Sequence, residues 1–139
     1  MSQTNSVTVN ISNNTGQGPI TFQQCDFLTN TGGSFHPSGN PPIVTNPTIL
    51  DGQSLQAYYI VGIYDPDAGY TDTIIKGNVV FNLPNGSTMT ISYDLNAIYE
   101  AGLNTPPTFA TTTDGYTFEG TSPVADSSNF NFTFNLTIS

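Results

Sequence analysis

The sequence predicts an all-β fold, a single β-sandwich of two antiparallel sheets with at most one short helix, filling residues 1–139 as one domain. Three observations predict it. Apolar residues recur with period two over long stretches, the pattern of a strand with one buried face. Turn formers punctuate the chain at short intervals. Only one segment carries a helix-like pattern.

The elements follow in order. Val7, Val9 and Ile11 alternate with Thr8, Asn10 and Ser12, which predicts a first strand. Pro19 to Gln24 reads as a shorter one. Gly32 to Pro47 holds Pro37, Pro41, Pro42 and Pro47 and reads as a loop. The Asp51-Gly52 turn precedes a long apolar strand, Ser54 to Ile63. Asn78 to Leu83 and Ser87 to Tyr93 flank Pro84-Asn85-Gly86, where Asn-Gly supplies the positive φ angles of a tight hairpin. Asp94 caps a short predicted helical turn containing Leu95, Ile98 and Tyr99 and ended by Gly102. Asn104 to Pro107 is a loop. Thr108 to Thr113 and Tyr116 to Glu119 are short strands about Asp114-Gly115, and Gly120 to Ser128 is a further loop. Phe130, Phe132, Phe134, Leu136 and Ile138 alternate with amide and hydroxyl residues to give the last strand. Each of these five is worth about 1.5–3 kcal/mol if buried, so this strand is a main stabiliser, and the two terminal strands are expected in the core as neighbours.

Composition narrows the function. Of 139 residues one is Lys, none is Arg and ten are Asp or Glu, a net charge of −9. Nucleic-acid binding needs cations to displace counterions from phosphate, and anionic lipid needs a basic patch; this chain supplies neither. Any membrane it touches is met through neutral or zwitterionic groups. Charged residues are only 8% of the chain, against about 25% in ordinary domains, so solubility rests on Asn, Thr, Ser, Gly and the excess negative charge. The N-terminus lacks the basic start and apolar run of a secretory signal, and no apolar stretch is long enough for a transmembrane helix. These features leave three readings of location open: cytoplasmic accumulation, release by a route without such a signal, or a chain already processed.

Reagents for catalysis are scarce. Cys25 is the single cysteine and precedes Asp26, whose charge raises a thiol pKa instead of activating it. The single His36 lies between Phe35 and Pro37 in a predicted loop. With no base placed for a nucleophile, no phosphate-cradling motif and too few soft ligands for zinc, the chain is read as a non-enzyme without a resident cofactor. Asp65, Asp67 and Asp72, with Gly69 between them, are oxygen ligands that suit calcium, although the full EF-hand pattern and its final Glu are missing. A solvated turn with Asp and Pro as turn formers is the preferred explanation of the same residues. Asn10, Asn13, Asn85, Asn131 and Asn135 each open an Asn-x-Ser/Thr triplet, a number that composition alone nearly produces. Tyr58 and Tyr59 fall in a strand, where one fills the core and the other covers the sheet; Tyr64 and Tyr70 lie at and beyond its end and are free for an interfacial or sugar-stacking role.

Val7 to Gly16, reading V-T-V-N-I-S-N-N-T-G, resembles the opening of aegerolysin-type proteins, above all the small components of bacterial binary insecticidal toxins. Gly32-Gly33-Ser34-Phe35 followed by Pro37 is similar to that family's Gly-aromatic loop. Ile49 with Gly52 resembles its I-x-x-G step, Gly62 to Gly77 its Gly-rich connection, and Tyr93-Asp94 the pair that ends its central hairpin. Asn104 matches a loop Asn that follows. Fungal members are richer in Trp and Lys; with no Trp here, the resemblance assigns lipid contact to Phe35, Tyr64, Tyr70 and Asn104. It implies recognition of a membrane lipid or surface receptor, with a larger pore-forming partner protein.

Two other readings stand beside it. A charge-poor Thr/Asn/Ser-rich sandwich also suits a self-assembling structural subunit, a homo-oligomer in which the last strand pairs either within or between copies. A carbohydrate-binding module would use Tyr64, Tyr70 and the nearby carboxylates.

Overall fold

The computed structural model describes residues 3–31, 43–64, 72–98, 102–103, 108–112, 115–120, 124–126 and 131–139, with side chains described over 6–26, 44–60, 76–93, 115–119 and 133–139. The described chain is all strand and turn, in two six-stranded sheets. The first sheet contains β1 (Gln3–Asn13), β3 (Ile43–Val44), β5 (Ser54–Tyr64), β10 (Phe118–Gly120), β11 (Val124–Asp126) and β12 (Asn131–Ile138). The second contains β2 (Ile20–Thr31), β4 (Thr48–Ile49), β6 (Asp72–Asn82), β7 (Thr88–Ile98), β8 (Gly102–Leu103) and β9 (Thr108–Thr112).

The strand order is β10-β12-β1-β5-β3 in the first sheet and β4-β2-β6-β7-β8 in the second, with β11 added to β12 and β9 to β7. Pairing is antiparallel except for β1 and β12, which run parallel with Val7 opposite Phe132 and Asn13 opposite Ile138. The first and last strands are therefore neighbours, as their matching apolar alternation predicts. The last strand also lies inside its own sheet, between β1 and the short strands β10 and β11. It completes the sheet of its own chain.

Alternation puts one row of each strand between the sheets. Val7, Val9 and Ile11 of β1, Ile60 of β5, Val79 and Phe81 of β6, Met89 and Ile91 of β7, and Leu136 and Ile138 of β12 are all buried in one core. Two bulges adjust the register. One falls in β5 at Ala57, between the pairings of Val9 with Tyr58 and Asn10 with Gln56. The other falls in β2 at Gln23, between Phe22 opposite Phe81 and Gln24 opposite Val80. A bulge inserts one residue and re-aims the side chains beyond it. Here the bulge positions leave Tyr58 in the core and Cys25 packed against it.

Three local expectations are corrected. Asp94, Leu95 and Ile98 belong to β7, and Gly102 opens β8, so no helix forms there. The helical spacing was weaker than the pairing of Thr73 to Lys76 with Asp94 to Ala97, which extends the central hairpin. The turn of that hairpin falls at Pro84-Asn85-Gly86 as predicted: Gly86 N–H donates to Leu83 O at 3.0 Å, closing a four-residue turn with Pro84 second, and Gly86 follows at φ 86°. The predicted loops 32–47 and 120–128 contribute edge strands β3 and β11. Finally, β2 runs on from Gln24 to Thr31 along β6.

Candidate functional site

The two ends of the sandwich differ. At one end lie Gln3 opposite Tyr64, Thr31 opposite Thr73, and Asp72 opposite Ile98. The segments carrying Phe35 and carrying Asp65, Asp67 and Tyr70 both depart from this end, and lie outside the described residues, as does Asn104. Tyr64 ends β5 and Asp72 begins β6, so 65–71 joins one sheet to the other and is not a hairpin within a sheet. Backbone placement thus brings Tyr64 and Asp72 to one end. Among the described residues no three His, Cys, Asp or Glu come together as a metal site would require.

The opposite end is tied by hydrogen bonds around Asn13, which is fully buried at the end of β1. Its Nδ2 donates to Gly18 O and to Ile49 O, each at 2.9 Å. Its Oδ1 accepts from Thr15 N–H at 3.2 Å and Thr15 Oγ1 at 2.8 Å. Its backbone N–H donates to Gln53 O, and its carbonyl accepts from Gly52 N–H. One amide therefore joins β1, the turn into β2, β4 and the Asp51-Gly52 turn. Nearby, Tyr116 donates to Gln17 Oε1 at 2.8 Å and accepts from Asn85 N–H at 3.0 Å, linking three turns. The Asn-x-Ser/Thr triplet at Asn13 was read as composition, and the burial of that side chain leaves no room for a glycan.

In the interior, Tyr58 of β5 meets Tyr93 of β7 across the sandwich, hydroxyl to hydroxyl at 2.5 Å, with ring centroids 5.9 Å apart. Burial pushes the Tyr93 hydroxyl up to about 12, its bond from Tyr58 offsetting part of that rise. Burial pushes Tyr58 higher still, and the neighbouring Tyr93 adds to it. The Cys25 thiol is raised too, first by burial and then by Asp26, so the expected direction holds and desolvation leads it. All three shifts favour the protonated forms at neutral pH. Tyr59, next in sequence, is half-buried on the other face of the sheet.

The outer face of the first sheet is set apart by its lack of charge. Its three central strands, β1, β5 and β12, contain no Asp, Glu, Lys or Arg anywhere along their length. Thr8 pairs with Thr133, Asn10 with Asn135 and Ser12 with Thr137. On the other side Ser12 pairs with Ser54, hydroxyl to hydroxyl at 2.6 Å, and Asn10 Nδ2 donates to Asn135 Oδ1 at 2.9 Å. On the β5 side Thr8 pairs with Tyr59 and Asn10 with Gln56, so every group in these rows both donates and accepts. Carboxylates enter only at the rim, on the short strands beside β12: Glu119 of β10 opposite Thr137 and Asp126 of β11 opposite Asn131. The net charge of −9 is thus carried by the second sheet, the connections and the edge strands. Sequence reasoning saw the alternation of each strand but not this face, because its rows exist only once strands far apart in sequence are in register. No family model, no curated protein and no solved structure matches the chain.

Proposed function

We propose that this chain is a structural subunit that acts by self-association through the outer face of its first sheet, and not by catalysis. The observation that carries the reading is the charge-free field across β1, β5 and β12 on a chain of net charge −9. A second copy brings the same negative charge, so the approach of lowest repulsion is through the central strands that have none. A two-fold contact must also be self-complementary. Rows of Thr, Asn and Ser that donate and accept satisfy that condition, whereas a face of one charge sign does not. Salt screens the remaining repulsion within about 8 Å at physiological strength, so association strengthens as salt rises and as pH falls toward the sequence pI near 4.1.

Sedimentation velocity over a concentration and salt series tests this, with Asn135→Asp as the probe variant. Asp keeps an oxygen to accept from Asn10, so the fold is retained, yet it places a charge in the middle row. The expected result is salt-promoted oligomers for the parent chain and association weakened by at least about tenfold in the variant, since facing like charges are strongly unfavourable. A chain that stays monomeric at every concentration and salt overturns the reading, as does a variant that assembles equally well. The same runs include vesicles of phosphatidylcholine and of sphingomyelin with sterol. Vesicle binding by a chain that is otherwise monomeric replaces assembly with the lipid-docking role expected for Phe35, Tyr64, Tyr70 and Asn104.

A further inference from the structure

The tip of the β6–β7 hairpin holds an electrophile and a nucleophile in adjacent residues. Asn85 and Gly86 are both exposed. The Asn85 side-chain oxygen accepts from Ser87 N–H at 2.9 Å and from the Ser87 hydroxyl. Two donors therefore converge on the atom that becomes negatively charged if the Asn85 amide carbon is attacked, the arrangement that stabilises a tetrahedral intermediate. The attacking atom is the Gly86 backbone nitrogen, unhindered because glycine has no side chain. That nitrogen is restrained: its N–H donates to Leu83 O, while Leu83 N–H donates to Ser87 O at 2.8 Å and Asn85 N–H donates to Tyr116.

We propose that Asn85 is a self-modification site, primed by Ser87 and gated by opening of the Leu83–Gly86 turn. Gly86 N forms a bond to Asn85 Cγ as the Cγ–Nδ2 bond breaks and ammonia leaves with the proton from Gly86 N. Water then opens the resulting cyclic imide at either carbonyl, giving Asp or its backbone-extended isomer. No oxidant, reductant or enzyme takes part. The product carries one more negative charge than the parent, and the isomer inserts an extra backbone carbon beside the bond from Asn85 N–H to Tyr116. The site thus ages the one hairpin that is tied to both the Gln17 turn and the β9–β10 turn.

The test incubates the folded full chain in mildly alkaline buffer and follows each Asn by peptide mapping, with isoelectric focusing for the added charge. Asn85 is expected to convert before Asn78, Asn82, Asn96 and every other Asn. Tyr116→Phe, which removes the tether, accelerates conversion several-fold. Ser87→Ala, which removes the hydroxyl donor, slows it by on the order of tenfold. Circular dichroism confirms that both variants are folded; an unfolded variant is replaced by comparison of the parent chain with and without urea, where opening the turn speeds conversion. The proposal is overturned if Asn85 in the folded chain converts no faster than the other asparagines. It is overturned equally if loosening the turn leaves the rate unchanged.

Discussion

Asn13→Leu is expected to lower the free energy of unfolding by about 3–5 kcal/mol, a large share of what holds a domain of this size together. Leu keeps the number and branching of the heavy atoms but is bulkier, so overpacking adds to the polar loss. Ile49 O loses a buried donor, Gly18 O loses another, and Thr15 loses the oxygen that receives its N–H and hydroxyl. Each group left unsatisfied inside the protein costs about 1–3 kcal/mol. Asn13→Asp does no better, because it turns an oxygen toward two carbonyls where two N–H bonds stood. Asn10→Ala is the control: its bond to Asn135 is solvent-exposed, and its loss costs less than about 1 kcal/mol. Urea denaturation of the three variants reads these differences directly. An Asn13→Leu loss no larger than that of Asn10→Ala would show that the Asn13 amide does not hold the turns.

Alkaline unfolding is the second large effect. Tyr93 titrates near 10 in an unfolded chain and is pushed up to about 12 in the fold, and Tyr58 is displaced in the same direction. The folded state therefore holds these protons more tightly than the unfolded state. That contribution to stability is complete below pH 10 and is lost as pH rises from about 10 through 12 and beyond. A two-unit displacement corresponds to roughly 3 kcal/mol for Tyr93 alone. Thermal melts are expected to fall steeply above pH 10, together with the absorbance change of phenolate formation. Tyr58→Phe with Tyr93→Phe removes both acids and flattens the fall. At neutral pH the double variant stays close to the parent in stability, because both partners of the buried bond are replaced by apolar groups of the same shape, whereas either single change strands the other hydroxyl. A double variant that still unfolds over the same pH window would place the alkaline transition elsewhere.

The fold class was legible because it depends on local periodicity. Val7 to Ile11 and Phe130 to Ile138 each announce a strand with one buried face; β1 lies where the pattern puts it, and so does β12 from Asn131 on, Phe130 being outside the described residues. The turn at Pro84-Asn85-Gly86 was legible because Asn-Gly supplies the positive φ that Gly86 adopts. The stretch after Tyr93 misled because Leu95, Ile98 and Gly102 fit a helical turn as well as a strand, and only the partner residues Asp72 to Lys76 decide between them. Asn13 was visible merely as one amide among many; its importance comes from Gly18, Ile49 and Thr15 converging on it, which no spacing encodes. The uncharged face was equally hidden, since it is assembled from β1, β5 and β12, the last of them more than a hundred residues from the first.

The parallel pairing of β1 and β12 also sets how the molecule bears load. Their register places the start of β1 and the end of β12 at opposite poles. Anything attached before β1 and after β12 and then drawn apart pulls two adjacent strands past each other lengthwise. The bonds between Ser6–Asn13 and Asn131–Ile138 are then strained together and not peeled one at a time. Under tension along this axis the pair acts as a shear clamp, with the uncharged ladder on one side of it and the core on the other. Single-molecule stretching from these two poles is expected to show a higher rupture force than stretching from β1 and the β6–β7 hairpin.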